Sequence, residues 1–287
     1  MSVKRIGIIG GSGLYEMEGL KAKEEVSLET PFGPPSDSFL VGELDGREVV
    51  FLPRHGKGHR LLPSEIPFRA NMYGLKKLGA EWIISVAAVG SMKDHIHPRD
   101  FVFPDQLIDR TRGRKDTFFG EGVVAHISFA DPICTALSDV VAKAAGEAGA
   151  KVHRGGTYIC IEGPAFSTRA ESLLYRSWGV DVIGMTNYQE AKLAREAEMC
   201  YAIMACVADY DCWHKTEKAV TVEMILNNLT KNAALAHKAL RRAVASVPQQ
   251  RTCPCAHALE NAILTPPGKI SQKAKKTLDV IIGRYVK

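Results

Sequence analysis

Apolar residues along the chain fall into two kinds of segment. Six short runs rich in Val, Ile and Ala have the length of one strand, and several end at glycine, so they predict buried strands. These runs are 5–10, 48–53, 81–90, 156–163, 181–185 and 200–209. Between them, apolar residues recur with a helical period at 66–79, 131–149, 167–179, 188–199 and 221–247. Strands that alternate with helices indicate an α/β fold, a single domain with a central mixed, largely parallel β-sheet flanked by helices.

Two helix starts carry local signals. At 131–149, Asp131 is expected to cap the helix and Pro132 to occupy its first turn, with Gly149 ending the element. At 167–179, Ser167 or Thr168 can cap the N-terminus.

Residues 1–250 are expected to form the main domain, and residues 251–287 a C-terminal extension. The tail of this extension, 266–287, has six basic residues against one acidic residue. Its apolar residues fall on one helical stripe: Ile270, Ala274, Leu278, Ile281, Ile282 and Tyr285. This pattern predicts a helix that docks on the core or on a neighbouring chain, and a membrane-surface helix is the weaker alternative.

The composition is that of an ordinary globular protein, with 287 residues, 46% hydrophobic and 24% charged. The net charge of +5 favours binding of an anionic small molecule. Nucleic-acid binding is not predicted, because the chain has no dense stripe of Lys and Arg interleaved with aromatic residues. The N-terminus reaches glycine too soon for a signal peptide, and no apolar run approaches the roughly 20 residues of a membrane span. We therefore expect a cytoplasmic protein with no membrane or nucleic-acid partner.

The seven cysteines do not read as the disulfide framework of a secreted protein. Cys160, Cys200 and Cys206 lie in apolar segments, where a free thiol behaves as a small core residue. Cys253 and Cys255 form a C-x-C pair, interpreted as two reduced surface thiols. No metal site and no cofactor are predicted.

Four loops that follow strands carry groups suited to an anion or a flat ligand. "GIIGGSGL" (7–14) is neither a dinucleotide fingerprint nor a P-loop, so Ser12 and its glycines indicate either a phosphate site or a tight turn. In "LPRHGKGHR" (52–60), Arg54 could bind a phosphate bidentately, with His55 and His59 as further donors; a solvated basic loop is the alternative.

In "EGPAFSTRAES" (162–172), Phe166 is placed to stack on a flat ligand. In "GMTNYQE" (184–190), Thr186 stands between a strand and a helix, where the helix N-terminus favours an anion.

Two carboxylates follow the apolar run at 200–209. Asp209 and Asp211 would lie about 7 Å apart on one side of a strand. At an effective dielectric constant of about 20, their charges repel by roughly 2.4 kcal/mol, which would hold one carboxyl protonated as a proton donor. A helix cap or an ion pair at the strand end remains the alternative.

Taken together, nine segments in order resemble the trimeric class of purine nucleoside phosphorylases, in the branch that acts on 5'-methylthio nucleosides. They are "GIIGGSGL", "TPFGPPSD" (30–37), "RHG" (54–56), "PSEIPFRAN" (63–71), "AVGS" (88–91), "IDRT" (108–111), "EGPAFSTRAES", "GMT" (184–186) and "ADYDCW" (208–213). The resemblance spans about residues 5 to 247. It implies phosphorolysis of S-methyl-5'-thioadenosine to adenine and 5-methylthioribose 1-phosphate in purine and methionine salvage, with inorganic phosphate as co-substrate and no cofactor.

The resemblance also implies roles for individual residues. Those expected to hold phosphate are Ser12, Arg54, His55, Thr186 and the backbone around Ala87 and Ala88. Those expected at the nucleoside are Phe166 on the purine, Met185 under the ribose, Asp209 and Asp211 at N7 and the 6-amino group, and His59. Ser167 and Val222 match positions tied to substrate choice. His126 matches a histidine that reaches a neighbouring subunit, so a homotrimer would complete the site.

Some residues depart from the family pattern. Ala87 stands where the eukaryotic branch often has a phosphate-binding Thr, and Asn187 with Tyr188 precedes Gln189 where many members have proline. The difference at Asn187 and Tyr188 predicts altered contacts with the ribose or with the 5' side of the nucleoside. C-x-C pairs like Cys253 and Cys255 form disulfides in some thermophilic relatives. A phosphorylase of adenosine or of 6-oxo nucleosides, and a catalytically silent nucleoside-binding protein, remain alternatives, although an Asp at 209 favours 6-amino over 6-oxo purines.

Overall fold

A computed structural model describes residues 4–11, 19–214 and 222–286, apart from the side chains of residues 22, 222–227 and 229. Its strands are β1 (Arg5–Gly10), β2 (Leu20–Val26), β3 (Phe39–Leu44), β4 (Arg47–Pro53), β5 (Ala80–Ser91), β6 (Phe101–Phe103), β7 (Gln106–Arg110), β8 (Val152–Arg154), β9 (Thr157–Ile161), β10 (Val182–Gly184) and β11 (Cys200–Tyr210). Its α-helices are α1 (Phe68–Lys77), α2 (Thr135–Glu147), α3 (Arg169–Ser177), α4 (Asn187–Glu196), α5 (Val222–Ser246), α6 (Gln272–Thr277) and α7 (Asp279–Ile282).

All of these strands belong to one mixed sheet. The main path runs β2-β3-β4-β1-β5-β10-β9-β7, and β11 branches from β5 to carry β6 and β8. The central pairs β4–β1, β1–β5 and β5–β11 are parallel, whereas β2, β3 and β4 form an antiparallel edge. The predicted mixed, largely parallel sheet is thus confirmed, with all six predicted strands in it. The five that the pattern missed, β2, β3, β6, β7 and β8, are short or carry charged residues.

Helices cover both faces of this sheet. On one face, α2 and α5 pack on each other and on β11. On the other face, α1 and α4 pack on each other, α1 also contacts β5 and α7, and α4 contacts β11 and β5. Because β11 lies between two helical layers, all eleven of its residues are buried. None of the helices in the described ranges has an apolar stretch long enough to cross a bilayer.

The start of α2 differs from the prediction. The helix begins at Thr135 with Cys134 in the N-cap position, and Asp131 does not cap it. The backbone N–H of Cys134 donates to the carbonyl of Tyr201 at 2.9 Å, which fixes the entering chain against β11 before the helix can begin. At α3 the prediction is confirmed, because Thr168 and Glu171 form a reciprocal capping box.

The C-terminal extension packs on α1. Its predicted apolar stripe is largely buried, and Ile270, Leu278 and Ile281 belong to the same core cluster as α1 residues. The single helix expected for this stripe is wrong, however. The chain breaks at Leu278 into α6 and α7, and the Tyr73 hydroxyl on α1 donates to Asp279 Oδ1 at 2.7 Å, immediately after the break.

Cys253 and Cys255 are not surface thiols, which corrects the prediction. Cys255 is only 3% exposed and Cys253 is partly buried. Both lie beside Cys134 and Cys200, because the extension crosses the start of β11. The predicted burial of Cys160, Cys200 and Cys206 is confirmed.

Candidate active site

A split in the central sheet opens a large cavity. On one side of β5, pairing with β1 stops at Ser85 and pairing with β10 begins only at Gly90. The four residues between them, 86–89, therefore have no strand partner on that side. A cavity of about 740 Å³ opens there, and all four residues line it.

The side chains that converge on this cavity come from loops at strand ends. Of the residues predicted for the site, those lining it are Arg54, His55, His59, Ala87, Ala88, Phe166, Ser167, Met185, Thr186, Asp209 and Asp211. Gly11, from the described part of the glycine-rich turn, also lines it. Ala88 is exposed to the cavity although it lies in a central strand, which follows from the missing strand partner.

Three predicted positions are not part of this set. Ser12 and the Val222 side chain lie outside the described residues. His126 is exposed and away from the cavity, and its backbone N–H donates to the carbonyl of Ala262.

Arg54 is fully buried and its guanidinium is largely engaged. It makes a bidentate pair with the Glu190 carboxylate, with Nε–Oε1 at 2.7 Å and Nη2–Oε2 at 3.2 Å. It also donates to the Val86 carbonyl at 2.7 Å and to Ser85 Oγ. Because a guanidinium has five N–H donors, one remains for a ligand. The bidentate partner is therefore Glu190 in this structure, which corrects the prediction that Arg54 offers its fork to phosphate.

Asn187 belongs to the same buried network and not to the ribose side. It has no exposed surface, and its amide donates to Ser85 Oγ at 2.9 Å and to the Tyr201 hydroxyl at 2.8 Å. That hydroxyl in turn donates to Glu190 at 2.8 Å. The expectation that Asn187 alters the 5' side is thus wrong, and its role is to help fix Glu190.

His55 is a neutral hydrogen-bonding group at the cavity wall. Its Nδ1 donates to the Leu61 carbonyl at 2.9 Å, and its ring stacks on His59 with centroids 4.2 Å apart. Burial, with a smaller contribution from the Arg54 charge, lowers the pKa of His55 to about 4. At neutral pH the ring is uncharged, and Nε2 is its acceptor.

Thr186 stands where β10 gives way to α4. It is 6% exposed and occupies the N-cap position without a capping hydrogen bond from its side chain. Its hydroxyl donates to Asn187 Oδ1 at 3.4 Å, and the residue lines the cavity at the N-terminus of α4, an arrangement that favours an anion.

Asp209 and Asp211 close the opposite part of the cavity. Each is 8% exposed, and each lines the cavity as the sequence predicts. Burial raises the pKa of Asp211, and the neighbouring Ser172 and Ser167 hydroxyls act in the opposite direction. Its Oδ2 lies in no well-formed hydrogen bond among the described residues. A carboxyl in this state readily holds a proton or accepts a donor from a ligand.

Gly90 leaves the space that both carboxyls use. A Cβ at this position would lie 3.2 Å from Asp209 Oδ1, 3.6 Å from Asp211 Cβ and 3.0 Å from Ile183 Cγ2. A larger residue would therefore push against the carboxyl pair and against β10.

A bulge in β11 sets the position of Asp209. Val207 pairs with Val89 and Asp209 pairs with Gly90, so Ala208 has no partner on β5. Two asparagines of α5 bond the carbonyls at this bulge, Asn228 to Ala208 at 2.6 Å and Asn232 to Val207 at 2.9 Å. Sequence reasoning missed both, although two Asn one helical turn apart in "NNLTKN" are an unusual feature inside a helix.

Phe166 and Met185 lie on the remaining walls. Phe166 is 55% exposed, an unusual state for a large aromatic beside a cavity. The strand ends that carry Met185 are fixed by Arg114, which donates to the carbonyls of Met185 at 2.6 Å and of Glu162 at 2.5 Å. Arg114 was not predicted, since its distance in sequence from both partners hides the contact.

Comparison with known proteins identifies the class. The model of the phosphorylase superfamily matches residues 5–245. The chain belongs to this superfamily.

Within the superfamily, the similar proteins share one name. A relative from Geobacter sulfurreducens, 61% identical over 98% of this chain and 99% of its own, is named S-methyl-5'-thioadenosine phosphorylase, as is one from Koribacter versatilis at 58%. A crystal structure of methylthioadenosine phosphorylase from an Antarctic soil metagenomic library superposes with a TM-score of 0.93 at 49% identity, covering 98% of this chain and 99% of that one. Methylthioadenosine phosphorylase from Schistosoma mansoni in complex with adenine gives a TM-score of 0.84 at 36% identity, over 90% of this chain and 96% of that one.

Proposed function

We propose that this protein catalyses the reversible phosphorolysis of S-methyl-5'-thioadenosine to adenine and 5-methylthio-α-D-ribose 1-phosphate, in purine and methionine salvage. One observation carries the proposal. A single cavity joins an anion-favouring end, at Thr186 and the unpaired segment of β5, to a pair of buried carboxyls at Asp209 and Asp211. The names of the relatives supply the substrate.

In this proposal, phosphate binds at the sheet split. Thr186 and the N-terminus of α4 supply a hydroxyl and a positive dipole. The β5 backbone at Ala87 and Ala88 pairs with β11 on one side and leaves its other side, towards the cavity, without a strand partner. Arg54 contributes a buried positive charge and its one remaining N–H. Neutral His55 accepts at Nε2 from the O–H of hydrogen phosphate. Ser12 is the further phosphate ligand that family resemblance assigns.

The nucleoside lies between phosphate and the carboxyl pair. Phe166 stacks on the purine, which accounts for an aromatic side chain left half exposed at the cavity. Met185 packs under the ribose, and His59, stacked on His55, borders the substrate. Ser167, which lines the cavity, and Val222 tune substrate choice. Leu61 and Leu62 give the 5'-methylthio group an apolar surface.

The reaction proceeds through an oxocarbenium-like state. Phosphate held beneath the ribose stabilises the positive charge at C1' and attacks it with inversion. Electrons left on the departing adenine are neutralised by a proton delivered to N7 from the carboxyl pair. Burial raises the pKa of Asp211, which favours a protonated carboxyl in this pair, with Asp209 facing N7 and Asp211 helping to hold the 6-amino group. Phosphate is the co-substrate, and no step uses a cofactor.

A second candidate substrate is adenosine. The Schistosoma mansoni protein, 36% identical, is also described as an adenosine/methylthioadenosine phosphorylase. Because adenosine presents the same 6-amino edge to Asp209, the two substrates differ only at the 5' side. The 6-oxo nucleosides are disfavoured, since their O6 is an acceptor facing a carboxylate.

We also propose a homotrimer in which His126 reaches the 5' side of a neighbouring subunit's site. The exposure of His126, away from its own cavity, is consistent with this assignment. A cytoplasmic location remains a prediction.

A substrate panel tests the proposal. Methylthioadenosine, adenosine, methylthioinosine and inosine are each incubated with and without phosphate, and base release is followed. We expect phosphate-dependent release of adenine from methylthioadenosine, with adenosine next and the 6-oxo nucleosides at least tenfold slower, a difference of about 1.4 kcal/mol. Base release that favours inosine would contradict the assignment of Asp209.

A further inference from the structure

Four cysteines from three parts of the chain meet in one cluster. Cys134 lies immediately before α2, Cys200 is the first residue of β11, and Cys253 and Cys255 flank Pro254 in the C-terminal extension. All four sulfur atoms lie within 4.8 Å of one another, and all four are free thiols. Three of the residues are buried and Cys253 is partly buried.

The spacing of these sulfurs matches a tetrahedral metal site. Zinc–sulfur bonds of about 2.3 Å place the sulfurs of a tetrahedral Cys₄ site about 3.8 Å apart. The Cys200–Cys253 separation is 3.2 Å, and the others reach at most 4.8 Å, so small side-chain rotations would equalise them. We propose that Cys134, Cys200, Cys253 and Cys255 bind one structural zinc ion.

Groups that stabilise thiolates surround the cluster. A zinc ion with four thiolates carries a net charge of −2, which needs compensation when it is buried. Cys134 occupies the N-cap position of α2, whose thirteen residues direct a positive helix end towards the sulfurs. The positive charge of Arg195 also acts on the Cys255 sulfur.

Zinc binding by the four thiols is accompanied by the loss of their protons. Four thiols bind one Zn²⁺, form four zinc–sulfur bonds and release four protons to solvent, with no oxidation or reduction. Because the four protein ligands fill a tetrahedral coordination shell, no position stays open for water or substrate. The site is therefore structural.

The position of the cluster explains what the zinc would stabilise. Cys200 begins the strand whose far end carries Asp209, about 30 Å away at the usual rise per residue of a strand. The zinc would fasten the C-terminal extension to the start of β11 and to α2. It would thus hold the core together without entering the phosphorolysis site.

The first test uses the unmodified protein. It is purified without added chelator, and its metal content and intact mass are measured under native and denaturing conditions. We expect about one zinc per chain, retained in the native mass and lost on denaturation with the appearance of free thiols. After exchange with Co²⁺, thiolate-to-cobalt charge-transfer bands and tetrahedral d–d bands should be seen.

A matched pair of variants locates the metal. The double substitution Cys253→Ser, Cys255→Ser should reduce zinc to less than about a tenth of an ion per chain. Cys160→Ala, which removes a buried thiol outside the cluster, should retain the full content. If the double variant does not fold, the cobalt spectrum of the unmodified protein still decides.

Two results would overturn the proposal. A denatured mass lower by four hydrogens, restored by reductant, would show that the cluster forms two disulfides. Four free thiols with no bound metal, and no cobalt spectrum on exchange, would show a packed thiol cluster only.

Discussion

At the scale of single residues, the candidate site contains a buried ion pair between Arg54 and Glu190. Arg54 and Glu190 are each 2% exposed and satisfy one another, while Tyr201 and Asn187 complete the hydrogen bonds around them. In the proposed phosphate site, an arginine already held by Glu190 would bring its charge to the anion without first having to be positioned. This arrangement predicts that Glu190 determines both stability and phosphate affinity.

Glu190→Gln tests this prediction. The substitution keeps the shape of the side chain but leaves the Arg54 charge buried and uncompensated, which we expect to lower the free energy of unfolding by about 3–5 kcal/mol. Saturating phosphate should restore part of that loss, because a dianion then compensates Arg54. Urea unfolding with and without phosphate measures both effects.

Glu48→Gln provides the control for this experiment. Glu48 pairs with Arg5 and Lys23 at a partly exposed position, so its loss should cost at most about 1 kcal/mol and show no added dependence on phosphate. If phosphate stabilises Glu190→Gln no more than the unmodified protein, Arg54 does not face the phosphate.

Asp209→Asn tests whether Asp209 protonates the base and selects 6-amino over 6-oxo purines. An amide at this position cannot supply the proton to N7, and it prefers an acceptor at position 6 of the purine. We expect kcat/KM for methylthioadenosine to fall tenfold or more, about 1.4 kcal/mol, while the ratio to methylthioinosine shifts towards the 6-oxo substrate. Asp139→Asn, at an exposed ion pair, should change neither quantity. If the ratio of kcat/KM for the two substrates is unchanged in Asp209→Asn, Asp209 does not select between 6-amino and 6-oxo purines.

Individual residues could be predicted from the sequence where their chemistry is unusual for their position. Asp209 and Asp211 after a buried strand and Arg54 among glycines are such cases, and all three line the cavity. Glu190 and Asn187 could not be assigned, because helical residues of ordinary type reveal a buried charge pair only when tertiary packing is known.

At the scale of elements, the site depends on how the strands are paired. The apolar runs predicted the central strands. Nothing in them shows that the pairing of β1 with β5 ends at Ser85, or that the pairing of β10 with β5 begins at Gly90. Register is a tertiary property, set by the lengths of β1 and β10 and by the loops between them. The cavity therefore could not be derived from sequence, although the loops that enclose it could.

Asn228 links helix α5 to the bulge of β11 that precedes Asp209. Its amide donates to the carbonyl of Ala208, the bulged residue that precedes Asp209, and Asn228 does not itself line the cavity. Asn228→Ala leaves that carbonyl without this donor, which should cost about 1–3 kcal/mol of stability and lower kcat as Asp209 loses its fixed position. Lys238→Ala, at an exposed position of the same helix, is the matched control. Full kcat with reduced stability would mean that the bulge does not position Asp209.

At the scale of the whole molecule, the C-terminal extension is part of the core. Leu259, Tyr285 and Arg284 all bond the carboxylate of Glu198, at the turn between α4 and β11. The cysteine cluster joins the same region. Its members are separated by up to 121 positions, so no short ligand motif marks them. This explains why the sequence predicted no metal there.

The proposed trimer gives a further prediction for the whole molecule. We expect light scattering to show three chains per particle, and His126→Ala to raise KM for methylthioadenosine while the particle mass and the cavity of each chain stay intact. His257→Ala, an exposed histidine of the extension, should leave KM unchanged. A monomer with full activity would exclude a contribution from a neighbouring subunit.

The most direct test of the account identifies what replaces the base. The protein is incubated with methylthioadenosine and ¹⁸O-labelled phosphate, and the sugar product is analysed by mass spectrometry and phosphorus NMR. The account predicts adenine and 5-methylthio-α-D-ribose 1-phosphate in equal amounts, with the label in the ester oxygen at C1' and no turnover without phosphate. Free 5-methylthioribose, formed at the same rate without phosphate, would contradict it.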